Sequence, residues 1–590
     1  MIALSIVDGD PSSDNVLATL FRIKFSGWAA STRNPFEAAP SYAELGKAAI
    51  AWLDELRKSH VIIEKIFFDG FLPPAKFDVR VERLIGNTER CIEYHQAYPG
   101  QIDYGRVSTG SSNVSASLFT TAARQSSSKL PAIPFLVPAV VEALIDSEEY
   151  RRATIVVPEE ADLYCAKYVS QQGGIVFTGD SDLLAHELGS DGAVSFFQDI
   201  EVHTDGASEN LYSQVYRIST IINRLGLPPA YGIKTFAFEM FMDPHGTFRR
   251  LLMQAISLKA VTAHKDMYDE FAFQYMPLKT DPLQTREPAY KDQWFLLRSL
   301  DPRISEYILQ FDTFRKVAGV SLDAGKDIED SIHIFLPVLL DCPTRTNAWE
   351  MSISIRLSAY ALINLIVPED QQKFTVVEHV KQLNKNGGRE WQLPSIDEIS
   401  DALTALIKFL EKVQEKLPGL SGFDYWTAVA VCQDVQWSSS NGKASLCDTV
   451  LRNHGSSGSN PLRHHKYSWD IVHFYALAQG SYYSFRILKQ IMDLLASQKD
   501  RYPIPEITPQ LSQVLETLPK LQDLPNFGEI VSIRENNYKP VSGCVKAAAE
   551  KDWEEEKEKK KLLESRRKPE NLFKLLQSDE VLSRRHNEIE

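Results

Sequence analysis

The sequence lacks paired cysteines and long apolar runs, and both absences exclude classes of protein. Its six cysteines are scattered along 590 residues, without the short spacings typical of a zinc knuckle or a redox dithiol. This usage favours a reducing, intracellular compartment. No apolar run approaches the length of a membrane span, and the N-terminus lacks the basic and apolar regions of a signal peptide. We therefore expect a soluble, intracellular protein without a membrane partner.

The chain also lacks a net positive charge: 78 Asp and Glu outnumber 64 Lys and Arg, which gives a formal net charge of −14. General affinity for phosphate backbones comes from local clusters of Lys and Arg. An acidic chain binds nucleic acid only where particular cations stand beside the substrate, so those cations must be identified. The composition, 44% hydrophobic and 24% charged, is otherwise that of a folded protein. The length suggests two or three domains.

Four short apolar runs alternate with helical patterns in the first third of the chain. Because these runs are apolar throughout, they predict parallel strands covered on both faces. The predicted strands are residues 3–7, 61–68, 153–157 and 174–178. With helices predicted at 42–59 and 135–149, they indicate an α/β domain with a parallel central sheet.

From about Ser213 onward a helical period dominates, interrupted by Pro-, Gly- and Ser-rich breaks. The predicted helices are residues 213–225, 235–242, 247–258, 347–367, 396–416, 467–476 and 482–497. Aromatic residues from Trp469 to Phe485 could stack on bases, but their near-helical spacing favours core packing. The second part of the chain is expected to be mostly helical.

Two segments differ in composition from the rest. Residues 106–129 are rich in Ser and Thr without a usable period, which fits a lid or a disordered insertion. Residues 547–568 mix acids and bases, which favours a solvated helix held by Glu–Lys pairs. The alternative for that tail is nuclear import or phosphate binding through its Lys and Arg clusters. The nucleus is favoured over the cytoplasm.

Carboxylates follow each predicted strand at the edge where an open parallel sheet binds its ligands. The acids are Asp8 after the first strand, Asp69 after the second, Glu160 and Asp162 after the third, and Asp180 and Asp182 after the fourth. Carboxylates that converge on one edge repel one another unless cations or protonation relieve them. A divalent metal site is the expected relief.

Such an edge suits Mg²⁺, a hard cation that prefers a few carboxylates and several waters, with Mn²⁺ as a substitute. Two ions about 4 Å apart would activate a water and stabilise the attacking and leaving oxygens of a displacement at phosphorus. Phosphodiester hydrolysis is the matching chemistry. A plainer role stays open for any single acid, because an Asp at a strand end commonly caps a helix.

Two cations are placed to serve this edge. Lys76 and Arg83 lie seven residues apart, so a helix that begins after Pro73-Pro74 would carry both on one face. From there they could contact a scissile phosphate and offset the charge that grows in the transition state. A solvated amphipathic face explains the same spacing.

Three of these sequence elements resemble the flap-endonuclease (XPG-like) superfamily, whose nuclease domain has a PIN-like fold. They are Phe67-Phe-Asp-Gly-Phe-Leu-Pro-Pro-Ala-Lys76, Pro-Glu-Glu-Ala-Asp and Thr-Gly-Asp-Ser-Asp. Residues 335–349 and 482–490 are similar to the helical region of the Asteroid family, especially its fungal members. The resemblance implies a nuclease domain over 1–258, a helical Asteroid-type region over 259–545 and a charged tail over 546–590.

The resemblance also implies a role for each candidate residue. Asp8 and Asp69 resemble the first two strand-end aspartates, Glu160 with Asp162 the acidic pair of the first metal, and Asp180 with Asp182 the pair that completes the second. Lys76 and Arg83 fall where the family places its phosphate-contacting Lys and Arg, and residues 106–129 fall at its arch.

Two features depart from the family pattern. No Met-Gly-Ile-type leader precedes the first strand, so either the sequence begins late or the site lacks a wall. The family's last aspartate lies in Gly-x-Asp-Tyr before a DNA-gripping motif, and the nearest counterpart, Asp243 in Phe241-Met-Asp-Pro244, lacks the glycines. The expected function is a structure-dependent nuclease acting on DNA or RNA. The alternative is a catalytically silent PIN-like scaffold that binds protein or RNA partners.

Overall fold

The computed structural model describes residues 2–6, 41–71, 76–97, 99, 101–103, 133–205, 208–277, 296–318, 332–447, 450, 466–498 and 505–525. Asp8, the Ser-rich residues 106–129 and the tail 546–590 lie outside these ranges. Within them, no helix is long and apolar enough to cross a membrane. The five described cysteines are all buried, and none is in a disulfide.

The strands are β1 Ile2–Ile6, β2 Ile63–Asp69, β3 Gln101–Asp103, β4 Thr154–Val157, β5 Gly174–Thr178, β6 Gly192–Phe196, β7 Ile200–Asp205, β8 Ser208–Ser213, β9 Ile332–Phe335, β10 Thr375–His379, β11 Arg389–Gln392 and β12 Lys466–Ser468. The helices are α1 Tyr42–Lys58, α2 Phe77–Ala97, α3 Leu136–Asp146, α4 Ala161–Gln172, α5 Ile218–Leu225, α6 Ile233–Met242, α7 Phe248–Ser257, α8 Lys259–Ala263, α9 Lys265–Phe273, α10 Pro302–Ile308, α11 Asp312–Ala318, α12 Ile353–Leu362, α13 Ile396–Lys416, α14 Gly422–Ser440, α15 Trp469–Ala496 and α16 Thr508–Leu515.

A five-stranded sheet with the order β4-β2-β1-β5-β6 carries the candidate site. Its four strand pairings are all parallel. The four predicted strands match β1, β2, β4 and β5 to within two residues. Strand β6 was not predicted, because Gly192-Ala-Val-Ser-Phe is short and contains the turn-forming residues Gly and Ser. Parallel pairing brings the carboxyl ends of these strands to one edge of the sheet.

Both faces of this sheet are covered, as its uniformly apolar strands require. Phe67 and Phe68, neighbours in β2, are each fully buried but belong to different apolar clusters. Phe68 packs in the cluster that contains α1 and α3, and Phe67 packs against α4. Helix α1 starts at a capping box in which Ser41 and Glu44 satisfy each other's backbone N–H groups.

Two helix predictions for the second part of the chain were wrong in detail. The predicted helices 467–476 and 482–497 form one continuous helix, α15. The sequence suggested a break because Gly480 and Ser481 separate the two patterns. A Cβ atom at Gly480 would lie 3.2 Å from the carbonyl oxygen of Ala348. The glycine therefore allows α15 to pack closely against the backbone at Ala348, and it does not end the helix.

The predicted helical region also contains a sheet that the sequence pattern did not indicate. Strands β9, β10 and β11 form it, with β9 parallel and β11 antiparallel to β10. A buried, bidentate ion pair joins it to α12, since Arg356 Nε and Nη2 lie 2.7 and 2.9 Å from the Glu378 carboxylate oxygens. These strands are only four or five residues long, which leaves a weak sequence signal.

One hydrophobic core connects the sheet with the later helices. It includes Phe68 and Leu144 beside the sheet and Tyr307, Trp349 and Tyr483 from the second part of the chain. The predicted nuclease domain, 1–258, and the predicted helical region, 259–545, therefore contribute to the same core.

Candidate metal and phosphate site

Asp69 ties the end of β2 to the start of α4. Its buried carboxylate accepts a hydrogen bond from the Ala161 backbone N–H, at 2.6 Å from Oδ1. It thus caps a helix that lies 92 residues further along the chain. The adjacent Gly70 allows this close approach, because a Cβ atom there would lie 2.2 Å from the Val157 carbonyl oxygen. The ends of β2 and β4 are therefore fastened together at the candidate site.

Glu160 precedes α4, but its side chain makes no capping hydrogen bond. It forms an ion pair with Lys76, which lies immediately before α2. Removal from bulk water alone would lower the pKa of Lys76, but Glu160, then Asp69 and Asp162, outweigh this and raise it. Lys76 thus lies within electrostatic range of three of the predicted metal ligands.

Glu159 is a further carboxyl at this position that sequence analysis did not single out. Burial, and secondly the charge of Glu160, raise its pKa to about 7, while the nearby Tyr164 opposes the shift. The two adjacent carboxyls after β4 therefore differ in their surroundings: Glu160 is paired with Lys76, and Glu159 is buried.

Asp180 and Asp182 lie on a 3-10 turn, Ser181–Ala185, that follows β5. Asp180 Oδ1 accepts from the Asp182 backbone N–H at 2.9 Å, so Asp180 caps the turn. Atoms packed around the Asp182 carboxyl, and then Asp180 and Glu160, raise its pKa, while Lys76 opposes the shift. The acids that follow β5 thus belong to the same electrostatic cluster as Lys76 and as Glu160, which follows β4 on the far side of β1 and β2.

Two aromatic residues at this cluster were not anticipated. His186 is buried directly after the turn, and its ring meets the ring of Tyr275 edge to face, with centroids 5.2 Å apart. Burial, with Lys234 and Lys76 nearby, lowers the pKa of His186 to about 4. Tyr275 follows α9 and is therefore far from the turn along the chain. No motif connects it to the acids, so only the tertiary fold reveals its position.

The remaining candidates lie differently. Arg83 is exposed on α2, two helical turns beyond Lys76. Asp243, the weak candidate for a final metal ligand, is ion-paired with Arg250 at the end of α6. Asp8 follows β1 outside the described residues. The structure thus gathers five of the six predicted acids and Lys76, which we call the acidic cluster: Asp69, Glu160, Asp162, Asp180, Asp182 and Lys76.

The donor set fits a hard divalent cation that keeps part of its water shell. All the acids offer carboxylate oxygens, the ligands that Mg²⁺ prefers. Among the described residues, no three His, Cys, Asp or Glu side chains form a ready-made coordination sphere. Mg²⁺ does not require one, since it usually binds one or two carboxylates and several waters. Lys76 supplies the positive charge that Glu160 pairs with in this structure.

Acids from three strand ends and one lysine thus lie at the carboxyl edge of a sheet of parallel strand pairs, where open sheets of this kind bind their ligands. Residues 132–391 match the protein family described as "XPG domain containing". This match supports a relationship to the XPG-like nuclease superfamily, and it covers Glu160, Asp162, Asp180 and Asp182. It does not distinguish the Asteroid family. No curated protein and no solved structure matches the chain.

Proposed function

We propose that the protein is a metal-dependent nuclease with a PIN-like, Asteroid-type nuclease domain. It would hydrolyse phosphodiester bonds of structured or single-stranded nucleic acid with two Mg²⁺ ions, which Mn²⁺ can replace. The observation that carries the proposal is the acidic cluster, in which Lys76 pairs with Glu160 and acids from the ends of β2, β4 and β5 lie within electrostatic range of the lysine. The match to an XPG domain family supports the same chemistry.

The residues have separable tasks in this proposal. Asp8, Asp69, Glu160, Asp162, Asp180 and Asp182 would hold the ions, directly or through water. When bound, these ions would supply a nucleophilic water and stabilise charge on the leaving oxygen. Lys76 would leave Glu160 and bind a phosphate oxygen, and Arg83 would hold the strand further along α2. The hydrogen bonds that Asp69 and Asp180 accept from backbone N–H groups fix the directions of their carboxylates.

One observation favours a second function, a PIN-like scaffold without activity. Asp69 and Asp180 each cap a backbone N–H group, and Lys76 neutralises Glu160. These acids therefore have structural partners in the absence of an ion. Such a scaffold would bind protein or RNA partners through the helical part of the chain.

A cleavage assay separates the two functions. The purified chain would be incubated with end-labelled DNA and RNA, single-stranded and flap-structured, in Mg²⁺ or Mn²⁺. We expect metal-dependent cleavage that Asp182→Asn reduces by at least about a hundredfold, since Asp182 caps no helix and its loss should spare the fold. Asp397→Asn, an exposed carboxylate in the first turn of α13, is the matched control. If the wild type, Asp182→Asn and Asp397→Asn all showed the same metal-independent background cleavage, the nuclease function would be contradicted and the scaffold function would be favoured.

A further inference from the structure

Tyr275 enters the candidate site from a part of the chain that carries no predicted site residue. Its half-buried ring is held on two sides, by His186 with a centroid distance of 5.2 Å and by Phe271 with one of 5.3 Å. Both neighbours meet the ring at steep angles, 71° and 57°. These contacts hold the ring in place, which leaves the hydroxyl as the group that can bind a substrate through a hydrogen bond.

Helices α6 to α9 precede Tyr275, and the first of them packs against the turn that carries Asp182. They form their own small core, in which Phe238, Val261, Tyr268 and Phe271 are buried. Helix α6 packs on the turn Ser181–Ala185, and Lys234 at its start pairs with Glu187 at 3.3 Å. Tyr275 thus belongs to a group of packed helices that contacts the turn in which Asp182 lies.

Contact with His186, at the end of the turn that carries Asp182, places the Tyr275 phenol beside the acidic cluster. Burial raises its pKa well above the ordinary value, and Asp182, Asp180, Glu160 and Asp162 raise it further. A phenol has an ordinary pKa of about 10, so its hydroxyl carries a proton at neutral pH and can donate a hydrogen bond. Carboxylates only accept hydrogen bonds, so within the described cluster Lys76 and Tyr275 offer donors toward a substrate.

We propose that Tyr275 binds the substrate of the nuclease by donating a hydrogen bond from its hydroxyl to a non-bridging phosphate oxygen. The phosphodiester has only acceptor oxygens, and the acids around it repel its charge, so neutral and cationic donors must hold it. Base stacking is the less suitable role, because His186 and Phe271 already pack against the ring. This inference rests on the proposed nuclease function.

The test is Tyr275→Phe, which keeps the ring and removes only the hydroxyl. Tyr268→Phe is the matched control, since Tyr268 lies seven residues earlier and its ring is buried in the small core. Three quantities are measured for both variants: kcat/KM on a labelled oligonucleotide, the Tm, and the rise of Tm with Mg²⁺. We expect Tyr275→Phe to lower kcat/KM roughly tenfold or more, as for a lost hydrogen bond to a charged group. Its Tm and its Mg²⁺ response should equal those of the wild type.

The possible outcomes separate this inference from the function on which it rests. Wild-type kcat/KM in Tyr275→Phe would overturn the inference and leave the nuclease intact. A lost Mg²⁺ response or a lowered Tm in that variant would also overturn it, because the hydroxyl would then serve metal binding or folding. A wild-type protein that cleaves nothing would remove the nuclease function, and the inference with it. An equal loss of kcat/KM in Tyr268→Phe would show that any hydroxyl of this unit matters, which contradicts a specific phosphate contact.

Discussion

Lys76 decides the charge balance of the acidic cluster. It forms an ion pair with Glu160 and lies within electrostatic range of Asp69, Asp162 and Asp182. Glu160, Asp69 and Asp162 favour the charged form of Lys76, and the ammonium in turn favours the ionised form of Asp182. The same position that suits a phosphate contact thus makes Lys76 a competitor of any cation that binds Glu160.

Replacing Lys76 by methionine should therefore tighten Mg²⁺ binding while weakening catalysis. With the ammonium gone, Glu160 is unpaired and the cluster gains one net negative charge, so we expect the Mg²⁺ dissociation constant to fall by about tenfold. Isothermal titration with Mg²⁺ alone measures this. Lys58→Met, which removes an exposed ion pair on α1, should leave the affinity unchanged. Equal or weaker Mg²⁺ binding by Lys76→Met would contradict the competition.

At the same scale, the sequence predicted the acids better than their surroundings. Strand-end position was sufficient to place Asp69, Glu160, Asp162, Asp180 and Asp182 near one edge of the sheet, because parallel strands bring their carboxyl ends together, while their role as metal ligands stays a prediction. Tyr275 and His186 could not be found this way. Their positions depend on how α6 to α9 pack onto the turn after β5, and no local pattern encodes that contact.

At the scale of elements, α15 organises the second half of the fold. Its Arg486 lies 2.5 Å from the Glu142 carboxylate of α3 and 3.2 Å from that of Asp301, which caps α10. Tyr483, one turn earlier, donates to Asp301 at 2.9 Å. This network joins three helices in a region largely closed to water.

Breaking that network should be costly. In Arg486→Met the carboxylates of Glu142 and Asp301 lose a buried positive partner, so we expect the free energy of unfolding to fall by about 3–5 kcal/mol. Urea denaturation gives the value. Lys489→Met, on the same helix, loses only a partly exposed pair with Asp493 and should cost under about 1 kcal/mol. Similar losses in the two variants would show that Arg486 contributes no more than a surface cation.

The elements also show why sequence patterns succeed and fail. Helix α13 matches its prediction at both ends, because an amphipathic stripe runs unbroken from a Ser395–Glu398 capping box. Helix α15 was split in two because Gly480 normally marks a break, whereas here it allows contact with the backbone of Ala348. Short strands such as β9 and β11 give too few residues to set a period.

At the scale of the whole molecule, one core holds both parts of the chain, and it encloses neutral histidines. His473 accepts a hydrogen bond from the Cys342 backbone N–H, at 3.1 Å from Nδ1, which an imidazolium could not do. Burial, with Arg345 and Lys381 nearby, lowers its pKa to about 3. Burial likewise lowers the pKa of His379 to about 4.

These shifts set an acid limit on stability. Unfolded histidines bind protons near pH 6.5, whereas His473 and His379 stay neutral in the folded protein, so stability is lost as the pH falls from about 6.5 towards 4. Each histidine contributes a slope of about 1.4 kcal/mol per pH unit. A glutamine can accept the same hydrogen bond but does not titrate. His473→Gln should therefore reduce the slope of the free energy of unfolding against pH by the equivalent of about one proton. Urea denaturation between pH 5 and 7 measures this slope. The exposed His203→Gln is its control, and an unchanged slope in His473→Gln would contradict the assignment.

We propose above all that the acidic cluster binds two divalent ions at the carboxyl edge of the sheet. Crystals of the wild-type chain soaked in Mn²⁺, measured at the manganese absorption edge, test it most directly. The proposal requires two anomalous peaks about 4 Å apart, among Asp69, Glu160, Asp162, Asp180 and Asp182, with Lys76 withdrawn from Glu160. Well-ordered crystals with an intact Lys76–Glu160 ion pair and no manganese peak at that edge would contradict it.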